Sequence, residues 1–249
     1  MEYSIFFFIL VGFFAQIIDG ALGMAYGVIS NAILLSLGLP PKESSASLHI
    51  AEVCTTAVSG VSHLKFRNIN KDLFMRILLP GVIGGVLGAY LLGKVIDGDT
   101  IKPYISGYLA LVGMVILYRA FKKPEVKEIT SLSFLLPLGF LGGVCDAIGG
   151  GGWGPVVTST LVARGNDPRY TIGSVNASEF FVTTAESITF FLTVSTISWK
   201  VVAGLLIGGV IAAPFAAYTT KKIPAKPLMI LVGLLITGLS IRTIVMAVN

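Results

Sequence analysis

Charged side chains are scarce in this chain: of 249 residues only 12% are Asp, Glu, Lys or Arg, while 54% are hydrophobic and the mean hydropathy is +0.86. A soluble domain carries about a quarter charged residues to cover its surface, so this composition excludes an ordinary water-soluble globule and describes a membrane protein. Cysteine is nearly absent. Cys54 and Cys145 lie in apolar stretches with no CxxC pair and no partner at zinc spacing, which argues against a disulfide scaffold or a metal site and predicts two buried free thiols. With only two histidines and no base near either cysteine, an intramembrane enzyme is weakly supported.

Lys and Arg together number 18 against 13 acids, a net charge of +5. Spread along a hydrophobic chain, these are loop charges that set topology, and no nucleic-acid partner is expected. The start, Met1-Glu2-Tyr3-Ser4 before an apolar run, lacks the basic region of a signal peptide and is expected to remain on the protein.

Glycine is plentiful: 29 residues without a collagen period or a polar setting. Hydropathy marks eight apolar segments, near 3–37, 45–64, 73–96, 103–121, 132–163, 170–194, 200–220 and 227–247. The first and fifth exceed 30 residues, and each is interrupted by an acid followed by glycines: Asp19-Gly20-Ala21-Leu22-Gly23 and Asp146-Ala147-Ile148-Gly149-Gly150-Gly151-Gly152. Both are expected to be broken helices.

Shifting the chain by 127 residues aligns it with itself. Gly12 meets Gly139, Asp19 meets Asp146, Gly23 meets Gly150, Gly27 meets Gly154, Gly38 meets Gly165, Pro41 meets Pro168, Ser47 meets Ser174, Glu52 meets Glu179 and Thr56 meets Thr183. The polar run from Lys122 to Glu128 separates the copies. The expected organisation is therefore a transmembrane repeat over 1–121, a polar linker over 122–130 and a second repeat over 131–249.

If the broken segments crossed the membrane, the basic residues would divide almost evenly between the two sides. If both turn back, 13 of the 18 collect on one side, leaving Lys42, Lys94, Lys102, Lys200 and Arg242 on the other. The positive-inside rule favours the second arrangement. The expected fold is an all-α polytopic membrane protein of two inverted repeats, each a broken, re-entrant hairpin plus three transmembrane helices. The linker would be cytoplasmic and both termini outside. Length agrees, because 35 helical residues would run about 52 Å, against an apolar core of ~30 Å.

Irregular backbone at bilayer depth survives only where protein or a wet cavity receives its unpaired groups, so both breaks should line a site. Beyond each break a half-helix begins, and its free amides and partial positive charge suit an anion. The candidate binding residues are Gly23, Met24, Ala25, Tyr26 and Gly27 in the first half, with Gly150, Gly151, Gly152, Trp153 and Gly154 in the second. A dinucleotide or P-loop reading fails, since no strand precedes the glycines and no Lys-Ser/Thr follows, and no cofactor is expected. Tyr26 and Trp153 either wall the site or sit in the core.

Glu52 and Glu179 occupy matching positions in the second and sixth segments, where an ionised carboxylate is costly unless paired, protonated or wet. His49 and Asn176 lie three residues earlier on the same face, and Ser47, Ser174, Thr56 and Thr183 extend it as hydroxyl donors. The bland alternative is a structural polar network. Glu186 corresponds to Ser59 and breaks the symmetry, as a proton carrier or an interfacial acid. Asp19 and Asp146 either cap the following turn or touch ligand. Glu52, Glu179, Glu186, Asp19 and Asp146 are the candidates for coupling or gating.

These duplicated glycine-rich breaks, the Gly-x-x-Pro after each (Gly38 to Pro41, Gly165 to Pro168) and the polar helix that follows resemble the sulfite exporter TauE/SafE family of membrane transporters over nearly the whole chain. The resemblance implies a multi-pass inner-membrane carrier, not an enzyme, that moves small sulfur-containing anions such as sulfite, sulfoacetate or other organosulfonates, usually outward. The first break is poorer in glycine than the second, so the half-sites are expected to be unequal. An inside-negative potential drives a monovalent anion outward with about 2.3 kcal/mol per 100 mV. An anion channel, or proton-coupled uptake of another small organic anion, is the competing reading. The partners expected are the small anion and the lipid bilayer; a homodimer is compatible with the sequence.

Overall fold

A computed structural model describes residues 3–122, 131–219 and 225–248. They form ten α-helices with no strand among the described residues: α1 (Ile5–Leu22), α2 (Tyr26–Ser36), α3 (Pro41–Lys65), α4 (Lys71–Tyr90), α5 (Gly98–Arg119), α6 (Leu132–Gly149), α7 (Ser159–Ala163), α8 (Pro168–Thr193), α9 (Trp199–Thr219) and α10 (Ala225–Val248). A wide π-helical turn extends α4 over Leu91–Val95, and another, Trp153–Thr158, precedes α7. The polar linker beyond Lys122 lies outside the described residues, as do Lys221 and Lys222.

Local chemistry places the element ends where the repeat requires them. Gly23 and Gly150 end α1 and α6 with φ of 67° and 62°, the left-handed conformation that favours glycine. Gly38 and Gly165 share a φ of 92°, and Pro41 and Pro168 open α3 and α8, where a missing N–H costs nothing. Ser4, Asn70, Asp97 and Asp167 cap α1, α4, α5 and α8 through their side chains.

The copies exchange partners in packing. α1 lies along α9, as α6 lies along α4; α3 packs on α8 and α5 on α10. A Cβ on Gly143 would strike the Gly81 carbonyl, and one on Gly84 the Phe140 carbonyl, so α4 and α6 touch at backbone distance.

Directions follow from the same contacts. Gly204 faces Ile5 and Ile9 while Gly208 faces Ile9 and Phe13, so α1 and α9 run parallel; Gly139 beside Ile77 and Gly88 beside Val144 make α4 and α6 parallel too. In contrast, Thr56 meets Thr183 while Ser59 meets Asn176 and Gly60 meets Ala177, so α3 and α8 are antiparallel. Gly113 and Leu117, set against Thr237 and Gly233, make α5 and α10 antiparallel. Repeat-related helices that face each other antiparallel require a pseudo-two-fold axis perpendicular to them. The repeats are therefore inverted.

These directions are compatible with a chain that turns back at each break. Lengths agree. The 11 residues of α2 return the chain about 17 Å, and the 11-residue climb along α3 from Pro41 to Glu52 brings it level with the first break again.

Among the described residues four stretches are long and apolar enough to cross a membrane: Lys71–Val95, Thr100–Arg119, Leu132–Gly149 and Lys226–Met246. α3 and α8 are 25 and 26 residues long but more polar, because their serines, threonines and carboxylates face each other inside the bundle. Large exposed hydrophobics such as Phe6, Leu79, Ile83, Leu192 and Leu234 form the surface that meets lipid. Cys54 belongs to that surface and Cys145 is half-buried, which corrects the expectation of two buried thiols; an apolar setting in a bilayer does not imply burial in protein.

Gly143→Leu is expected to abolish folding or lower the melting temperature steeply, since overpacking at backbone contact exceeds the usual ~1–3 kcal/mol. Gly107, with open space around its Cβ position, is expected to accept alanine at no cost. Thermal unfolding in detergent checks both; equal stability of Gly143→Leu and wild type would contradict the packing described.

Candidate functional site

The two breaks meet at the centre of the molecule. A Cβ on Gly27 would lie 2.8 Å from Gly151 Cα, and one on Gly154 would lie 2.5 Å from Met24 Cα. Between the tips is a narrow cavity lined by Asp19, Met24, Tyr26, Gly27, Val28, Glu52, Asp146, Gly151, Gly152, Gly154, Pro155 and Glu179. A second cavity continues it along Gln16, Thr55, Thr56, Ser59 and Asn176. Residues from both repeats thus share one space.

Each half-helix begins on a carboxylate from the preceding helix. Asp19 Oδ1 accepts from the Ala25 and Tyr26 amides at 2.7 and 3.2 Å, and Asp146 Oδ1 accepts from Gly152 and Trp153 at 2.6 and 2.9 Å. These contacts superpose under the 127-residue shift. Both aspartates are therefore caps, and the amides of Ala25, Tyr26, Gly152 and Trp153 are already engaged. Among the described residues no acceptor meets the amides of Gly27, Val28 and Gly154, which border the same cavity.

The exposed carbonyls at the end of α6 are met by side chains from other helices. Ser45 Oγ donates to Ala147 O at 2.6 Å and Asn31 Nδ2 to Gly149 O at 2.5 Å, while Ser44 Oγ donates to Asn31 Oδ1 at 2.5 Å and fixes that amide. Tyr108 OH reaches Gly151 O at 3.4 Å. Asn31, Ser44, Ser45 and Tyr108 were not singled out from the sequence. An Asn inside the apolar run of α2 was the available signal for the first of them.

The remaining candidates separate by position. Glu52, Glu179, Thr56 and Asn176 border the two cavities; Thr56 and Thr183 donate back to the Glu52 and Glu179 carbonyls at 2.8 and 2.9 Å and meet each other at 3.4 Å. Tyr26 lines both cavities and donates to Leu205 O at 3.1 Å. Trp153 is wholly buried in a core cluster, and its indole donates to Val175 O at 3.1 Å. Ser47 accepts from the Ser198 amide and Ser174 from the Asn70 amide, so these two serines tie down the loops that lead into α9 and α4.

His49 faces away from the cavities. Its Nδ1 donates to Ser45 O at 2.7 Å, and its Nε2 lies 3.0 Å from Glu186 Oε2 and 3.7 Å from Asp146 Oδ2. The donor atoms of the three residues lie within 4.8 Å of one another, close enough to share one positive charge.

The family model for the sulfite exporter TauE/SafE matches residues 8–243. The chain is also 42% identical over 248 residues to the "Probable membrane transporter protein YtnM" of Bacillus subtilis (strain 168), covering 96% of this chain and 82% of that protein. No solved structure matches it.

Asp146→Ala frees two amides at the second tip, and is expected to cost about 3 kcal/mol and lower the melting temperature. Asp146→Asn, which retains an acceptor oxygen, is expected to recover much of the loss. A wild-type melting curve for Asp146→Ala would remove the cap from its structural role.

Proposed function

Because this chain belongs to the sulfite exporter TauE/SafE family, we propose that its two hairpin tips form the binding site of a carrier for small sulfur-containing anions: sulfite, sulfoacetate and other organosulfonates. The family and the relative are membrane transporters, so the activity is transport and not enzymatic conversion. The observation that carries the reading is the cavity shared by two inverted half-helix starts, with the amides of Gly27, Val28 and Gly154 at its border. Amides at a helix start supply donors and a positive field without a fixed cation, which suits an anion that must also leave.

The head group would rest between the tips, with the second amide hydrogen of Asn176 as a side-chain donor, Tyr26 and Thr56 lining the space with hydroxyls already given to backbone carbonyls, and Met24 as an apolar wall. Glu52 and Glu179 stand beside it as gates. An ionised carboxylate at 4 Å repels a monovalent anion by about 4 kcal/mol in a partly wet site, so their charge decides when the anion enters. Rocking of one repeat against the other about the tips would alternate access. In this reading the protein sits in the inner membrane with the linker in the cytoplasm, both termini outside, both hairpins re-entrant and export the usual direction.

Counterflow in proteoliposomes tests it: vesicles preloaded with sulfite are expected to accelerate uptake of labelled sulfite, with sulfoacetate competing. Gly27→Ala, which pushes a methyl onto Gly151, is expected to reduce exchange at least tenfold while Gly107→Ala does not. Flux without trans-acceleration would identify a channel, and no flux of any of these anions from folded protein would refute the carrier reading.

A further inference from the structure

His49 and Glu186 belong to different repeats, and the 127-residue shift maps their contact onto another one. His49 becomes Asn176 and Glu186 becomes Ser59, and Asn176 Nδ2 does donate to Ser59 Oγ at 3.2 Å. The fold therefore makes the same α3–α8 contact twice, once with an ionisable pair and once with a neutral one. Packing does not require the charged version, since the neutral version closes the equivalent interface.

The charged version is also wholly enclosed. His49 and Glu186 are 0% exposed and Asp146 is 2% exposed. His49 Nε2, Asp146 Oδ2 and both Glu186 oxygens lack a hydrogen-bond partner of good geometry. Space for Glu186 comes from α4, where a Cβ on Gly85 would lie 2.5 Å from Oε1. Because Ser45 O can only accept, Nδ1 carries a hydrogen, and Nε2 is left to face two carboxyl groups. Two carboxylates around a neutral imidazole would be an uncompensated buried charge, so the trio is built to hold one added proton, on Nε2 or on Glu186.

We propose that His49 and Glu186 form the site of a single coupling proton, carried together with the anion and linked to the second hairpin through Asp146. This assignment rests on the carrier reading above. The link is geometric: Asp146 turns Oδ1 to the Gly152 and Trp153 amides at the tip and Oδ2 to His49. With the proton aboard, on Nε2 or on Glu186, the trio carries a single net negative charge. When the Nε2–H or Glu186 O–H bond breaks and the proton passes to water on the open side, two negative charges remain beside the tip that holds the anion. Loading of anion and proton is thereby mutually favourable, and a monovalent anion leaves with no net charge moved. Direction follows the combined gradients of anion and proton.

Other ionisable groups face this pair: Asp146 from α6, Glu179 from α8 and Glu52 from α3 itself; Cys145 and Tyr108 adjoin Asp146, and Asp19 and Tyr26 adjoin Glu52, one step further away. Glu52 and Glu179 differ from the pair in lining the anion cavity and in being symmetric copies of each other.

The test uses the whole protein in proteoliposomes with a pH dye trapped inside and labelled sulfite outside, read as protons moved per anion. Wild type is expected to hold a fixed ratio near one, and the double variant His49→Asn/Glu186→Ser, which installs the pair native to the equivalent α3–α8 contact, to lower that ratio at least tenfold. An unchanged ratio in the double variant overturns the assignment, as does a loss found in Glu52→Gln while the double variant keeps its ratio. Absence of counterflow in wild type is a separate failure, that of the carrier reading. If the double variant moves no anion, infrared titration of the folded protein decides: an imidazole or carboxyl band that follows pH in wild type must be lost in the double variant, and an unchanged pH-difference spectrum overturns the proposal.

Discussion

Two carboxylates hold the centre of this protein together. A helix interrupted inside a bilayer leaves amides that hydrocarbon cannot satisfy, each at a cost of several kcal/mol. Asp19 and Asp146 meet that cost with one oxygen each, bonding the first two amides of the next half-helix. The left-handed glycine at the end of α1 and α6 reverses the chain, and the aspartate one turn earlier receives it. Without both features the tips would not lie against each other, and no shared cavity would exist.

The caps also limit what the tips can bind. Four amides that a helix start ordinarily offers to an anion are engaged, so the remaining positive field comes from Gly27, Val28 and Gly154. A weak, partly occupied cradle suits transport, since a ligand held by every available donor would leave slowly. The end of α6 is braced by Asn31, Ser45 and Tyr108 from three other helices, so movement of either repeat is felt at the second tip.

Much of the architecture was legible because it is written twice. Offsets of 127 residues at Asp, Gly and Pro positions located both breaks, and the basic residues favoured an inverted pair of repeats, in which α3 and α8 run antiparallel as they do here. The site was legible only as a neighbourhood. Sequence placed His49, Ser47 and Ser174 on the polar face of α3 or α8, but a helix face does not say which neighbour it meets: the serines meet loops, and His49 meets Glu186. Asn31 escaped notice because its repeat counterpart is Thr158, so the duplication that revealed Asp19 gave no signal there. Whether an aspartate caps or binds depends on a reach of a few ångströms that spacing alone does not fix.

The inversion explains why the halves had to diverge in charge while keeping their shape. Inverted repeats of identical sequence would place equal charges on both sides of the midplane, and a proton bound in one half would be matched by an equal site in the other. Backbone geometry is shared at the turns, where Gly38 and Gly165 have the same φ and the two caps superpose, although the second half-helix opens with a π-helical turn where α2 is α-helical. The differences in charge lie in side chains, with His49–Glu186 against Asn176–Ser59, while Tyr26 at the cavity against Trp153 in the core adds a difference in packing. In the proposed carrier, exchange between outward and inward arrangements would rely on the shared backbone. Placing charge at only one of the two equivalent α3–α8 contacts makes those arrangements unequal in energy, so that the protonation of a single buried pair can favour one over the other.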